Sequence, residues 1–555
     1  MAKKPNFLFI ITDQHRADHL GCYGNPIVRT PNIDSLARRG MTFDEFYVSC
    51  PICMPNRATI LTGRTPTANG VRQNGIPLSL DAVTFVDLLK KGGYNTGLIG
   101  KGHIQNISKM DVSLSAPARP STQRTQIVSE DDPDRTRPIG GVDDAPIPRE
   151  DELWNATREW RTGAGYDVEF AGNWIANPDY KAPTPFYGFD EVTLANGHSD
   201  WVGSDYAVWR ERREPRIADL VGPMNAKDPG GISAPQAWRT SVPEELWTST
   251  YIADQTIDYL ERQAAQDDPF FLFCSFPDPH NPFTPPGKYW DMYDPADMPL
   301  PPSHGHVNRD EPRYLQTLRT DAANGNPHNE FMWGFLTGEQ HTREILALTY
   351  GLITCIDDAV GRILGKLKDL GLDGDTVIVF TSDHGDFMGD HGLMLKQGLH
   401  YQGVLQVPFI WADPQGPMDA RSDMLGGSID IAQTILSRAG VDAYAGMQGF
   451  DIVAAAESGA PPPRAGLMIE EDCHALHIDM DFSLRTWTLI HDGWRLTQFM
   501  GEDKGELFDR NTDPHEMNSL WSDPAARGRL LDMKDRMLSE RMRLTDTTML
   551  SPFMA

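Results

Sequence analysis

Cys53 is the residue around which chemistry gathers. It stands in Cys50-Pro-Ile-Cys53-Met-Pro55-Asn-Arg57, and Leu61-Thr62-Gly63-Arg64 follows. Pro55 suits the first turn of a helix beginning just after Cys53, where a missing N–H costs nothing. Arg57 lies four residues on, so guanidinium and thiol share one helix face. A helix N-terminus adds free N–H groups and the positive end of a dipole. A nucleophile, a guanidinium and a helix end can therefore meet around one oxyanion. The plainer reading of Cys53 is a buried cysteine packing ahead of a helix.

Two acidic pairs suggest a metal. Asp13-Gln14 and Asp383-His384 each follow a short apolar run. Two carboxylates, an amide oxygen and an imidazole form a mixed O/N site for one divalent cation. Asp13 and Asp383 could instead cap helices. Positive charge comes from Lys101, in Gly100-Lys101-Gly102-His103, and from Lys396. With Arg57 these put three cations around a tetrahedral anion. His280 sits among prolines, which present it rigidly. Asn74, in Arg72-Gln-Asn74-Gly75, is a turn residue or a donor to the anion. His391 and His400 flank Lys396 and read as loop structure or pocket wall.

These residues need elements that bring them together. Four apolar runs, Phe7–Ile11, Thr96–Ile99, Phe270–Phe276 and Val377–Phe380, end directly in the polar clusters. Continuous apolar runs suit strands buried on both faces of a parallel sheet. Amphipathic helices are predicted over Thr84–Lys91, Ile345–Leu370 and Ser428–Ala439, each followed closely by glycine, with Ser428 as N-cap of the third. Alternating strands and helices make an α/β fold, in which ligands sit beyond the carboxyl ends of the strands. Stretches near 105–180 and 280–330 lack long periodic runs and read as insertions that wall the pocket. From about 441 the pattern changes. Phe482–Phe499 reads as a hairpin turning at Asp492-Gly493, and a charged helix follows near Ala525–Arg543.

Taken together, these motifs resemble those of the formylglycine-dependent sulfatases of the alkaline phosphatase superfamily. The matching residues are Cys53-Met-Pro55-Asn-Arg57 with Leu61-Thr62-Gly63-Arg64, Asp13, Gly100-Lys101-Gly102-His103, His280-Asn-Pro, Asp383-His384-Gly385, Lys396, and Glu506 to Pro514 near the end. The resemblance implies an alkaline-phosphatase-like, mostly parallel central sheet flanked by helices, with a small C-terminal α+β subdomain. It implies a catalytic unit over 1–440 and a C-terminal unit over 441–555. It further implies that a maturation enzyme oxidises Cys53 to Cα-formylglycine, whose hydrate attacks sulfur and forms a covalent sulfo-enzyme intermediate. Asp13, Gln14, Cys53, Asp383 and His384 would then hold the metal, and Arg57, Lys101 and Lys396 the non-bridging oxygens. His280 would protonate the leaving group, and His103 would assist release of sulfate.

Two features point to different branches of that superfamily. Gln14 and His384 stand where typical sulfatases carry Asp and often Asn, and they resemble the phosphonate monoester hydrolases, as does Asp13-Gln-His-Arg-Ala-Asp18. One fewer carboxylate and one imidazole favour manganese over calcium. Lys101 and His103 follow the sulfatase pattern instead, where the phosphonate branch tends to have Tyr and Thr. The expected substrates are aryl sulfates, with phosphonate monoesters and phosphodiesters as the alternative.

Composition bounds the rest. The chain has 555 residues, 40% hydrophobic and 23% charged, as in ordinary globular proteins. Its net charge of −28 argues against nucleic acid or an anionic membrane as partner, so an anion must meet locally gathered positive charge. Six cysteines make no disulfide framework, and Cys22, Cys274, Cys355 and Cys473 read as packing residues. No apolar run approaches ~18–20 residues, and the first residues lack a signal-peptide core, so a cytoplasmic protein is expected. The apolar stretch from Leu544 to Ala555 would be sticky if free. It is expected to pack on a neighbouring subunit of a homo-oligomer, a dimer or tetramer.

Overall fold

A computed structural model describes residues 4–108, 159, 161–329, 333–473 and 484–548. Eight strands form the central sheet. Their spatial order is Ala420–Ser422, Met41–Phe43, Phe409–Ala412, Thr376–Ser382, Asn6–Thr12, Phe270–Ser275, Asn95–Gly100 and Glu191–Leu194. Only Phe409–Ala412 runs against the others. The strands at the centre, Asn6–Thr12, Phe270–Ser275 and Thr376–Ser382, are buried at every residue. Their sequences are apolar without alternation because helices cover both faces. Phe7, Phe9 and Ile11 face one hydrophobic cluster, and Leu8 and Ile10 face the other.

The registers explain why the polar clusters meet. Thr12 pairs with Ser382, and Ile11 with Ser275, while Gly100 also pairs with Ser275. Four strands therefore end level, and the residues after them share one edge of the sheet. Backbone bonds pin the exits: the Asp13 N–H donates to the Asp278 carbonyl at 3.2 Å, and the Asp383 N–H to the Thr12 carbonyl at 3.1 Å.

Sequence expectations and observed elements differ in instructive places. The helix Phe85–Lys91 is capped by Thr84, which exchanges side-chain and backbone bonds with Asp87. The long helix begins six residues before Ile345, spanning Glu339–Asp369, because its polar first turn carries no apolar period. Ser428 is not an N-cap. It opens a single 3-10 turn, and the α-helix Ile431–Ala439 follows. The stretch 280–330, which lacks a long periodic run, contains the helix Arg313–Ala323 with Tyr314, Leu315 and Leu318 buried.

Beyond residue 441 a four-stranded antiparallel sheet runs Leu467–Cys473, Leu484–His491, Trp494–Phe499 and Glu506–Asp509. Asp492 and Gly493 have φ 53° and 72°, the left-handed values a two-residue hairpin turn requires. The helix Arg527–Arg543 packs on this sheet through Leu530, Met533 and Met537. One hydrophobic cluster runs from Phe9 and Met54 through Leu489 to Met537, so this α+β unit shares its core with the catalytic sheet. Leu544 is buried in the same cluster, and Asp546 pairs with Arg64 at 2.8 Å. The tail beyond residue 548, on which the expected subunit contact rests, lies outside the described residues. Among the described residues no helix is long and apolar enough to cross a membrane.

Candidate active site

The helix Cys53–Thr62 starts at Cys53 itself, with Pro55 in its first turn, and every residue of it is buried. Asn56 fixes its start. Its side-chain amide donates to the Asp383 carbonyl at 2.6 Å, and its Oδ1 accepts from the Ser49 N–H at 3.0 Å. Asn74 serves the same end, because its Oδ1 accepts from the Met54 N–H at 3.1 Å, while the residue itself is exposed.

Arg57 ties this helix to two strand ends. Its Nε donates to Asp383 Oδ2 at 2.8 Å, and its Nη1 to the Lys101 carbonyl at 2.9 Å and to Ser275 Oγ at 3.0 Å. Its Nη2 is buried without a hydrogen-bond partner and lies 4.0 Å from Asp13 Oδ2. Lys101, fully buried, pairs with Asp13. Gly100 must be glycine, since its φ is 103° and a Cβ would lie 1.8 Å from the Ser275 carbonyl oxygen.

Lys396 reaches the same point from the loop after Leu393. Its Nζ lies 2.8 Å from His384 Nε2, 2.9 Å from His280 Nε2, 3.0 Å from Gln14 Oε1 and 3.3 Å from Cys53 Sγ. Both histidines are held alike. Nδ1 of His280 faces the Asn281 carbonyl at 2.6 Å and Nδ1 of His384 the Gly385 carbonyl at 2.9 Å, which turns each Nε2 into the site. Gln14, with φ 64°, spends its amide N–H groups on Asp386 at 2.6 Å and Asn281 at 3.3 Å. Its Oε1 is thereby left facing Lys396.

A metal ion fits these donors. One ligand atom from each of Asp13, Cys53, Asp383 and His384 lies within 4.8 Å of the others, and all four residues are buried. Ligand bonds of ~2.0–2.6 Å allow such spans around one ion. Charge agrees with geometry. Although burial and Lys396 push His384 down, Asp383, Cys53 and Asp13 hold it up at about 10, so the cluster attracts positive charge. Cys53 Sγ is one of these four ligand atoms. Burial and Asp13 push this thiol up, but Lys396, Lys101 and His384 outweigh them and it lies below an ordinary thiol. The site thus favours an anion at position 53.

His103 is brought to the same loop, with φ 51° and Nδ1 buried without a partner. Burial, then Lys101 and Arg57, hold it well below the usual imidazole range, so its ring is neutral. Glu169 holds this loop, accepting the N–H groups of His103 and Ile104 at 2.6 Å each. No sequence signal singled out Glu169, which lies in a stretch without periodicity. His198 was missed as well. Its ring stacks on His280 with centroids 3.6 Å apart, and its Nε2 lies 3.5 Å from Lys101 Nζ. Only its place just after the strand Glu191–Leu194 could have suggested it. His391 and His400 stay outside the site: His391 stacks on Tyr401, and His400 bonds Glu471 and Thr488. Of the cysteines outside position 53, Cys22 is half-buried and the others are buried, and none is in a disulfide.

A family model described as Sulfatase matches residues 5–146 and 158–441. The chain belongs to this family. A second model, described as the C-terminal part of N-sulphoglucosamine sulphohydrolase, matches residues 389–543. An arylsulfatase of Clostridium perfringens is 27% identical over 81% of this chain and 78% of its own. A multifunctional alkaline phosphatase superfamily protein, PehA of Trinickia caryophylli, is 26% identical over 98% of this chain and 97% of its own. Among solved structures, the phosphonate monoester hydrolase of Agrobacterium radiobacter superposes with a TM-score of 0.69 at 23% identity, covering 98% of this chain and 97% of its own. That likeness establishes the shared fold. Sulfatase membership and the arylsulfatase relative support hydrolysis of a sulfuric ester by this chain.

Proposed function

We propose that this sulfatase hydrolyses sulfate monoesters, aryl sulfates foremost, through Cα-formylglycine made from Cys53 by a maturation enzyme. One observation carries the reading. Three buried cations surround two buried carboxylates next to position 53: Arg57 and Lys101 face Asp13, Arg57 also pairs with Asp383, and Lys396 lies 3.3 Å from Cys53 Sγ. A hydrated formylglycine at position 53 would supply one hydroxyl for attack and a second whose deprotonation releases sulfate, and a divalent cation held there would lower the pKa of that hydrate.

The chain's own groups do the rest. Asp13, Gln14, Asp383 and His384 would hold the cation. Arg57 Nη2, which has no hydrogen-bond partner in the protein, donates to a non-bridging oxygen, and Lys101 and Lys396 balance the developing charge. His280 Nε2 and Lys396 Nζ, 2.9 Å apart, deliver the proton to the leaving oxygen. His103, neutral, accepts the proton that frees the product. An ester and water thereby yield an alcohol, sulfate and a proton.

The second reading is hydrolysis of phosphonate monoesters and phosphodiesters at the same site. Gln14 and His384 on the metal side favour it, and two solved phosphonate monoester hydrolases share the fold over 98% of this chain. Both anions carry one negative charge, so charge does not separate them, and the anion side touches the transferred group more directly. Matched 4-nitrophenyl esters test the choice. Wild type is expected to show the higher kcat/KM on the sulfate. Lys101→Tyr with His103→Thr is expected to shift the ratio toward the phosphonate by about tenfold or more, ~1.4 kcal/mol. A wild-type preference for phosphonate, or a ratio unchanged within about twofold, promotes the second reading.

Metal content gives a separate check. Elemental analysis is expected to find one divalent ion per chain. Chelation should remove it together with roughly 10²-fold or more of kcat, and Mn²⁺ should restore turnover better than Ca²⁺. Full turnover in metal-free protein ends the metal assignment.

A further inference from the structure

Lys396 sits at the centre of the site, on a loop that the catalytic unit holds on one side only: the Leu395 N–H donates to Asp386 Oδ1 at 2.8 Å, and the Leu395 carbonyl accepts from the Phe387 N–H at 2.8 Å. Three of the four residues 395–398 have left-handed backbones: Leu395 at φ 65°, Gln397 at 100° and Gly398 at 77°. Two of these are not glycine, so the conformation is strained and must be imposed from outside. On the Gly398 side the restraint comes from the C-terminal sheet. The Gly398 N–H donates to both carboxylate oxygens of Glu471, at 3.0 and 3.1 Å. Thr486 Oγ1 donates to the Gly398 carbonyl at 3.4 Å. A Cβ at position 398 would lie 2.5 Å from Leu484 Cδ2 and 3.1 Å from Tyr314, so the loop is clamped on its other sides too.

Glu471 is itself oriented by a chain of donors. His400 Nε2 lies 3.1 Å from Glu471 Oε2, and burial keeps this ring neutral despite the carboxylate. Its Nδ1 lies 2.8 Å from Thr488 Oγ1, which lies 2.7 Å from Thr497 Oγ1. Arg495 Nη1 donates to Thr497 Oγ1 at 2.6 Å, and Arg495 is held by Glu506 and Glu516 at 3.0 and 2.6 Å. The only consistent proton order runs Arg495 to Thr497 to Thr488 to His400 to Glu471. Glu506, which opens the motif near the chain's end, thus connects to the site through buried hydrogen bonds. The neighbouring Glu470 points elsewhere, to Thr67 and Arg541.

We propose that Glu471 is a positioning residue for Lys396, and that the C-terminal sheet is the mount on which the active-site lysine is set. This rests on the reading of Lys396 as a working residue. A displacement of about 1 Å in such a group costs on the order of 10²-fold in rate.

The test is a double-mutant cycle on the full-length, formylglycine-bearing protein. Turnover of 4-nitrophenyl sulfate is normalised to aldehyde content by intact mass. Glu471→Ala is expected to lower kcat about 30-fold with KM within about twofold, and Glu471→Gln, which keeps an acceptor for Gly398, to recover most of it. In a Lys396→Ala background, Glu471→Ala should change kcat by less than about twofold, because the residue acts through the lysine. Thr488→Val is isosteric and breaks the chain further out. Its smaller loss should also vanish in that background, and it carries the test if Glu471→Ala does not fold. Multiplicative losses in the Lys396→Ala background, or wild-type kcat in folded Glu471→Ala, overturn the inference. If Lys396→Ala alone keeps wild-type kcat, the reading of the site fails first, and the two failures are distinguished.

Discussion

Cys53→Ala leaves a folded protein without turnover. The methyl group fits where the thiol sits, on a helix start fixed by Asn56 and Asn74 rather than by Cys53 itself. Stability should therefore change by only ~1 kcal/mol. Turnover should fall by at least about 10³-fold, since no neighbouring group can replace the nucleophile. In matured wild-type protein, intact mass should lie about 18 Da below the unmodified chain, with an aldehyde in place of the thiol. Wild-type-like turnover in Cys53→Ala removes the mechanism, because every later step starts from position 53. A chain that stays a thiol when co-expressed with a maturation enzyme would instead be a catalytically silent anion-binding protein.

Arg57→Ala is expected to damage both the fold and the chemistry. The guanidinium neutralises Asp383, closes the Lys101 carbonyl and Ser275, and aims Nη2 into the site. Truncating one partner of a buried ion pair typically costs ~3–5 kcal/mol, because the other charge is stranded. Removing a donor to the developing charge adds a loss on the order of 10²–10³ in kcat. Arg57→Lys should not rescue either effect, since an ammonium cannot reach Asp383, the Lys101 carbonyl and Ser275 together as a planar fork does. Chemical denaturation and kcat/KM on 4-nitrophenyl sulfate measure the two separately. If Arg57→Lys retains wild-type stability and turnover, the guanidinium geometry is irrelevant. Bound metal would soften the stability loss by compensating Asp383, so the loss should be larger after chelation.

The outcome for Lys101 and His103 bears on how the site discriminates. Both sit on one turn, where the Lys101 N–H donates to the Ser275 carbonyl and the His103 and Ile104 N–H groups donate to Glu169, a fully buried residue from beyond residue 160. A double mutant that reshapes this turn would lose selectivity through the backbone as well as through its side chains. Glu169 should therefore be checked by its own conservative variant, Glu169→Gln, before the ratio is interpreted.

Much of this protein was determined by local sequence. Each apolar run is too short and too uniformly hydrophobic to be anything but a strand covered on both faces, and each ends in the residues that do chemistry. Parallel strands that end level must bring those residues together, so Asp13, Lys101, His280 and Asp383 could be grouped from one dimension. Cys53 and Arg57 needed only helical spacing. The hairpin at Asp492-Gly493 and the capped helix after Thr84 follow from equally local rules.

Tertiary structure alone decided the parts that depend on distant chain segments. His198 is an ordinary loop histidine until the fold stacks it on His280. Glu169 and Glu471 look like solvated carboxylates, and only the buried N–H groups they meet give them a role. Asn74 supports the helix start, which no spacing rule distinguishes from a turn. The onset of the long helix at Glu339 and the helix Arg313–Ala323 were hidden because exposed polar turns carry no period. The physical reason is the same in each case. Hydrophobic periodicity reports which side of an element is buried, while hydrogen bonds between loops are set by where the sheet and the C-terminal unit place their backbones.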